Sequence, residues 1–356
     1  MKDSIQKIFN AWIDEETDDF SGVLSATGND GVIYQQAIGT RNRAEELPNT
    51  VETAFGIASG TKLFTGLAVC KLIDNGKLSL DDKLCDLLPF DLGQIDKRVT
   101  VYQLLTHTSG VGDDIDEEAE DFDKQLQALY DKYPARFWER LEYYLQMITP
   151  LTPKFEPGER YSYSNSGYVL LGLVVEAVSG VSYQQFVQDE IIKHCELSHT
   201  GFYHTDSLPD NTAIGYVQDE DTEEWGTNAN NLPIIGGSDG GIYSCAADID
   251  KLWRAVFEGN VLSEAMTATF LKPHVVSEED EEEGTVESYG LGVFHYQDGG
   301  EIVYFAIGAD SGVGFFTGYY PATKTVVSAF CNTGYNGSSL LFDDLPKLLG
   351  ECSHVV

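Results

Sequence analysis

Strand-like sequence stands at both ends of this chain, and helix-like sequence lies between the two sets. Near the start, residues 22–27 and 32–37 flank Gly28-Asn29-Asp30-Gly31, a composition typical of a hairpin turn. Strand-like segments return after residue 288, at 291–296, 302–306, 313–320 and 325–331. The pattern predicts one antiparallel sheet built from both ends of the chain, with a helical insertion. This is an α+β fold, and not a series of βαβ units.

The middle of the chain is predicted to be mostly helical, with segments near 60–75, 120–148, 167–179 and 182–194 and another that begins at Ala246. Two more helices are expected near residues 3–16 and 338–350. We expect a single domain over residues 1–356, in which residues 1–58 and 288–356 form a sheet lobe and residues 59–287 a mostly helical lobe. Catalytic motifs would then lie at the interface between the lobes.

The charge of the chain is strongly one-sided, with 22 Lys and Arg against 58 Asp and Glu and a formal net charge of −36. Phosphate binding needs a basic patch, and none is present, which argues against nucleic acid and anionic membranes as partners. Residues 278–283 contain only Glu and Asp. Because like charges in a row repel one another, we expect this run to be an exposed, mobile loop.

Membrane, metal and disulfide patterns set further limits. No apolar run reaches the length of a membrane span, and residues 1–7 lack the pattern of a signal peptide. The sequence as written fits a cytoplasmic protein, or an extracellular one if a leader had been removed. The six cysteines include no Cys-x-x-Cys pair, so we expect buried free thiols, no metal site and no cofactor. The oligomeric state is left open.

A hydroxyl and an amine lie three residues apart in Ser59-Gly60-Thr61-Lys62, at the start of a predicted helix. At this spacing the side chains of Ser59 and Lys62 share one face of the helix. Burial and the positive end of the helix dipole both disfavour a charged lysine, and a neutral lysine can take the proton of a serine. The same four residues would also fit a helix N-cap followed by a solvated lysine.

A second polar cluster, Tyr161-Ser162-Tyr163-Ser164-Asn165, precedes the predicted helix at 167–179. Tyr163 and Asn165 are two residues apart, so on an extended segment they point the same way. A phenol beside a lysine loses its proton more easily, and an asparagine offers both a donor and an acceptor. The alternative interpretation is an aromatic turn that caps the helix.

With Leu104-Leu105-Thr106-His107-Thr108-Ser109-Gly110 between them, these motifs resemble the penicillin-recognising serine hydrolases, the family of class C β-lactamases, DD-peptidases and related esterases. The resemblance extends from about residue 20 to 335 and implies a β-lactamase/transpeptidase-like fold. It also implies a covalent acyl-enzyme on Ser59, with Lys62 and Tyr163 as the pair that moves the proton. Asn165 would position Lys62 and the substrate, a small-molecule or peptide acyl compound.

The third motif of that family has Lys or His, any residue, and then Gly on a strand beside the cleft, and here the chain departs from it. The corresponding sequence is Ile307-Gly308-Ala309-Asp310-Ser311-Gly312-Val313. We align Ala309 with the cation and Ser311 with the glycine, and we expect the N–H groups of Gly312 and Ser59 to form an oxyanion hole. Without the cation, substrates that carry a carboxylate, such as β-lactams and D-Ala-D-Ala peptides, should react poorly.

Two functions remain open at this point. One is a serine hydrolase of an ester, amide or lactam, with small-ester or peptide hydrolysis favoured over fast β-lactamase action. The other is a penicillin-binding or peptide-binding protein of the same fold with little or no turnover. Ser238 matches a Gly-x-Ser-x-Gly motif but lacks a helix directly after it, so it is interpreted as a loop residue. His107 is expected to make structural hydrogen bonds rather than to act as a base.

Overall fold

The computed structural model describes residues 5–7, 9–10, 20–114, 122–219, 222–282 and 284–333. Residues 5–7 and 9–10 are helical, as expected for the start of the chain. The rest of the helix predicted near 3–16 and the whole of the one near 338–350 lie outside the described residues.

Among the described residues, eight strands form one antiparallel sheet in the order β2-β1-β14-β13-β12-β11-β10-β9. Their bounds are β1 Gly22–Gly28, β2 Gly31–Ile38, β9 Val275–Asp280, β10 Thr285–Tyr289, β11 Phe294–Asp298, β12 Glu301–Asp310, β13 Val313–Tyr320 and β14 Thr325–Cys331. Strand β1 pairs with β14, Gly22 lying opposite Cys331. The prediction of an α+β fold with one sheet made from both ends of the chain is therefore confirmed.

Three small two-stranded ladders lie outside the main sheet in the described chain. They pair β3 (Thr40–Asn42) with β4 (Leu47–Pro48), β5 (Phe55–Gly56) with β8 (Tyr243–Ser244), and β6 (Tyr216–Gln218) with β7 (Trp225–Thr227). The β5–β8 ladder holds the segment before Ser59 against the loop that ends in Tyr243.

The prediction for the acidic run was wrong in its first half. Residues 278–280 belong to β9, the outermost strand of the sheet, and β10 begins at Thr285, so the sheet resumes at Val275 and not after residue 288. Glu278, Glu279 and Asp280 pair with β10 instead of forming a loop. Charged side chains are common on edge strands because they discourage pairing with another chain. A run of like charges is therefore compatible with a strand at the edge of the sheet.

The α-helices of the described residues are α1 Thr61–Asp74, α2 Leu84–Leu87, α3 Val101–Leu105, α4 Phe122–Lys132, α5 Leu145–Ile148, α6 Asn165–Ser179, α7 Tyr183–Val187, α8 Ala246–Phe257 and α9 Glu264–Phe270. Helices α1, α6 and α8 agree with the prediction. The long helix predicted over 120–148 is wrong: α4 ends two residues before Pro134, and only short helical turns follow before α5. Proline removes a backbone donor and clashes with the preceding turn, which stops a helix.

The hydrophobic core occupies both faces of the sheet. On one face, Leu63, Phe64 and Leu67 of α1 pack with α6 and the inner side chains of the sheet. On the other face, Ile5 and Phe9 pack on the sheet. Helix α1 is buried on nearly all sides, which explains why its sequence is apolar with little periodicity.

No single helix in the described ranges is long and apolar enough to cross a membrane. Asn165–Ser179 and Tyr183–Ile192 pass the length and composition test only as a pair, and the pair is bent by 76°.

Candidate active site

The segment that carries Ser59 is a single 3₁₀ turn, Ala58–Gly60, which leads directly into α1. Ala58 has a φ of 43°, in the left-handed region that a residue with a side chain rarely adopts. Such a conformation persists only where neighbours hold it, and here the Gly241 N–H donates to the Ala58 carbonyl at 3.4 Å. The turn is thus held in place next to the start of the helix, and Ser59 remains partly exposed.

The amine of Lys62 lies in the centre of the site, and the residue is only 2% exposed. Its Nζ is 3.0 Å from Ser59 Oγ, 2.7 Å from Asn165 Oδ1 and 2.7 Å from the carbonyl oxygen of Asp239. A protonated amine donates to all three oxygens. A neutral amine has two hydrogens for Asn165 and Asp239 and a lone pair for the Ser59 hydroxyl, which then donates to Nζ. The geometry therefore suits proton transfer between Ser59 and Lys62.

The phenol ring of Tyr163 lies beside this amine, with Lys62 Nζ 4.8 Å from the ring centroid. The His107 ring packs against the Tyr163 ring, and the two ring centroids are 4.5 Å apart. The N–H of Ser164 donates to His107 Nδ1 at 3.0 Å, which fixes Nδ1 as the unprotonated nitrogen. Burial, aided by the Lys62 charge, lowers the pKa of His107 well below its ordinary value. The hydrogen bond from Ser164 fits the structural role expected for His107.

Asn165 is the first residue of α6, and a carboxylate that sequence reasoning did not single out holds this helix end. The backbone N–H groups of Asn165 and Ser166 donate to the two oxygens of Asp113 at 3.0 and 2.9 Å. A negative group is favourable at a helix N-terminus. Burial and the neighbouring charge of Asp114 raise the pKa of Asp113 to about 7. Asp113 lies 52 residues before the helix that it caps, so no local pattern could reveal it.

The third-motif strand, β12, meets the nucleophile turn at a different residue from the one expected. A β-carbon on Gly308 would lie 2.1 Å from the Ile57 carbonyl oxygen and 2.8 Å from Ser59 N, so only glycine allows this approach. Ser311 and Gly312 instead form the hairpin turn, and Gly312 contacts Gly215 and Tyr216. The structure therefore brings Gly308 to Ser59, and does not bring Gly312 there.

Ala309 is also placed differently from the expectation. Successive side chains of a strand point to opposite faces, so Ala309 faces away from the nucleophile turn that Gly308 touches, and its side chain is exposed. A residue here could not present a cation to Ser59. Sequence spacing could not show this placement, because the hairpin between β12 and β13 cannot be located from spacing alone, and a shift of one residue reverses the face of every side chain.

If the chain hydrolyses esters at Ser59, as its motifs lead us to expect, replacing Gly308 with alanine should lower the rate by roughly 100-fold, because the strand must move away from Ser59 and small displacements at a reacting centre cost about this much. Steady-state kinetics with p-nitrophenyl acetate would measure the change. Gly226→Ala is the control, since the nearest atom to a β-carbon there is 4.0 Å away. Full activity in Gly308→Ala would show that β12 does not contribute to the site.

Ser238 lies in the loop before β8 and not at a strand-to-helix turn, in agreement with its interpretation as a loop residue. It is fully buried, and its Oγ has no hydrogen-bond partner among the described residues. The neighbouring Asp239 was not identified from the sequence, although its carbonyl accepts from Lys62. Within the described residues, no group of His, Cys, Asp and Glu could hold a metal ion.

The sheet, the helical lobe and the contact between the partly exposed Ser59 and the buried Lys62 together have the architecture of the serine hydrolases that include β-lactamases and penicillin-binding proteins. The family model described as Beta-lactamase matches residues 9–348. The chain belongs to the beta-lactamase family.

Known relatives agree with this assignment. A penicillin-binding protein from Bacillus halodurans is 37% identical, has a TM-score of 0.86, and is matched over 98% of this chain and 99% of its own. The octameric penicillin-binding protein homologue from Pyrococcus abyssi is 28% identical, with a TM-score of 0.79 over 97% of this chain and 76% of its own. Penicillin-binding protein 4* of Bacillus subtilis is 30% identical over 72% of this chain. The match spans only 57% of that relative's own length.

Proposed function

We propose that this chain is a serine hydrolase that forms a covalent acyl-enzyme on Ser59. The observation that carries the proposal is the buried amine of Lys62, held 3.0 Å from Ser59 Oγ by Asn165 and the carbonyl of Asp239. A serine is a weak nucleophile until a base removes its proton. Lys62, whose amine contacts Ser59 Oγ, supplies that base.

In the first step, Ser59 Oγ attacks the carbonyl carbon of the substrate while its proton passes to the neutral amine of Lys62. The tetrahedral intermediate then collapses, the bond to the leaving group breaks, and the leaving group takes the proton through the phenol of Tyr163. Water attacks the resulting ester by the same route in reverse, which releases the acid and restores Ser59. Because Lys62 and Tyr163 share the proton, the pKa values of the reaction belong to the pair.

The negative oxygen of the intermediate needs two hydrogen-bond donors. The N–H of Ser59 is one. On β12, Asp310 lies opposite Val313 across a two-residue turn, so the N–H groups of Asp310 and of every second residue before it point to β13. The N–H groups of the residues in between point to the other edge of the strand, here called the open edge. Ala309 is directed to the open edge, next to the point where Gly308 touches Ser59 N. We assign the second donor to the Ala309 N–H, in place of Gly312.

The contact of Gly308 with Ser59 also changes which residues of the strand we assign to the third motif. If Gly308 is the glycine of that motif, Ala306 occupies the position of the cation, two residues earlier on the same face. Ala306 is buried and uncharged, so the site still lacks the group that would bind a substrate carboxylate. This favours uncharged or cationic esters and amides over β-lactams. The names of the relatives favour a second candidate, a protein that penicillin acylates and that releases the acyl group slowly.

Intact-protein mass spectrometry separates these functions, after incubation with p-nitrophenyl acetate and, in parallel, with a fluorescent penicillin. We expect steady release of p-nitrophenol, a transient acetyl group mapped by digestion to Ser59, and little penicillin adduct. A stable penicilloyl group on Ser59 without ester turnover would show a penicillin-binding protein instead. An adduct on any other residue would overturn the proposal.

A further inference from the structure

A small cavity of about 60 Å³ opens beside the nucleophile turn. Ala58 and Gly240 form the wall nearest to Ser59, and the Asp239 carbonyl in the same wall accepts from Lys62 at 2.7 Å. The cavity therefore borders the turn that carries Ser59, although Ser59 itself is not one of its described lining residues. It has room for only a few non-hydrogen atoms of a substrate.

The lining of this cavity combines four aromatic rings with two carboxylates, and none of its described lining residues is a lysine, arginine or histidine. The rings are those of Tyr130, Trp138, Tyr144 and Tyr243, and the carboxylates are those of Asp239 and Asp310. Aromatic faces and carboxylates both attract cations, whereas a site for a neutral acyl chain needs only apolar walls.

One carboxylate oxygen of Asp239 lacks a hydrogen-bond donor among the described residues. Oδ1 is buried and accepts no hydrogen bond from the described residues. A buried carboxylate oxygen without a donor is costly and rare in native structures. Burial raises the pKa of Asp239 to about 6, and the charge of Lys62 opposes this shift. A donor from a bound molecule would satisfy it.

Asp310 approaches the cavity from the strand side. It follows Gly308 by two residues on β12, so both lie on the face that meets the nucleophile turn. Its Oδ1 accepts from the Ser311 N–H at 2.7 Å, which fixes the side chain at the hairpin. Burial and the Asp310 charge raise the pKa of Tyr243, across the cavity, to about 12. The strand on which the family carries a cation thus carries an anion here.

Three of the four aromatic residues pack on one another along the lining of the cavity. Tyr130 and Trp138 have ring centroids 5.8 Å apart, and Trp138 and Tyr144 have centroids 5.0 Å apart. The negative face of an aromatic ring stabilises an ammonium group, most strongly where water is excluded.

We propose that this cavity binds a protonated amino group on the acyl side of the substrate, so that the preferred substrates are amides or esters of small amino acids or the N-terminal residue of a peptide. The inference rests on the proposed acyl transfer at Ser59 and names its substrate class. The size of the cavity restricts the group beside the amine to a short side chain. The ammonium donates to Asp239 Oδ1 and lies within the field of Asp310 and the aromatic wall.

The first test compares three p-nitroanilides, those of the two enantiomers of alanine and that of propionic acid, which lacks only the amine. In the unmodified protein, kcat/KM for one alanine enantiomer should exceed that of the propionyl compound by about 10-fold or more, since a hydrogen bond between charged groups is worth at least this factor. Asp239→Asn and Asp310→Asn should each bring the ratio toward one. Glu52→Gln, an exposed carboxylate outside the cavity, is the matched control and should leave the ratio unchanged.

A second measurement separates this inference from the proposed function. Titration calorimetry on Ser59→Ala would compare the binding of alaninamide with that of propanamide, with and without Asp239→Asn. Hydrolysis of the alanine and propionyl anilides at equal efficiency would overturn the cavity assignment while leaving the hydrolase intact. Absence of hydrolysis of the anilides and of p-nitrophenyl acetate, together with preferred, Asp239-dependent binding of alaninamide, would support the cavity assignment and overturn the hydrolase. Neither hydrolysis nor preference would overturn both.

Discussion

Ser59→Ala is expected to eliminate covalent labelling by both p-nitrophenyl acetate and penicillin, and to lower ester hydrolysis by roughly 10⁴-fold or more. The Ser59 hydroxyl is the atom that forms the acyl bond, and no other group can replace it at that position. The loss of one partly exposed oxygen should leave the fold unchanged, because the Lys62 amine keeps its bonds to Asn165 and Asp239. Mass spectrometry of the intact variant, with thermal unfolding measured in parallel, would show this.

The matched control for that experiment is Ser238→Ala. Ser238 lies in the other serine motif of the sequence, and it is buried in the loop that borders the site. Ser238→Ala should be labelled at Ser59 as fast as the unmodified protein. Labelling that persists in Ser59→Ala and disappears in Ser238→Ala would transfer the nucleophile to the loop and refute the assignment.

Lys62→Met is expected to slow acylation of Ser59 by roughly 10³-fold, the range for loss of a positioned general base. Methionine fills a similar volume but cannot accept the serine proton. The variant also leaves Asn165 Oδ1 and the Asp239 carbonyl without the lysine donor, at a cost in stability of about 1–3 kcal/mol each if no water replaces it. The rate of adduct formation in a single turnover is therefore the appropriate measurement, made below the unfolding temperature of the variant.

Lys71→Met separates the chemical effect from the loss of a lysine on the same helix. Lys71 also lies on α1 and donates to a backbone carbonyl, that of Val261, at 2.7 Å, but it is outside the site. This variant should acylate at the normal rate. If Lys62→Met also acylates at the normal rate, the proton leaves Ser59 by another route, and Tyr163 becomes the base to test.

The sequence predicted those parts of the molecule that depend on local patterns. The apolar run after Ser59 indicated a buried helix, and α1 begins at Thr61 as the spacing required. The strands at both ends followed from their turns and apolar runs. Lys62 and Asn165 meet in the structure at 2.7 Å, although only the family resemblance linked their motifs in advance. Their roles in catalysis stay a prediction.

Features that depend on contacts between distant segments could not be predicted. The backbone carbonyl of Asp239 binds Lys62 from 177 residues away, and a carbonyl has no signature in a sequence. The approach of Gly308 to Ser59 depends on where the hairpin after β12 turns, which changes the side-chain face with each residue of shift. The first half of the acidic run was predicted to be a loop because its composition, a row of like charges, disfavours strands. In the structure it pairs with β10, and this pairing stabilises the strand despite the composition.

The pairing of β1 with β14 has a consequence for synthesis on the ribosome. Strand β1 obtains its partner only after roughly 300 further residues have been added, which at about 5–20 residues per second takes roughly 15–60 s. During that interval β1 can pair only with β2, and an isolated two-stranded hairpin is marginally stable in water. The nascent chain must therefore keep an apolar strand edge in solution for most of its translation, and its yield in a cell should depend on chaperones that bind such edges.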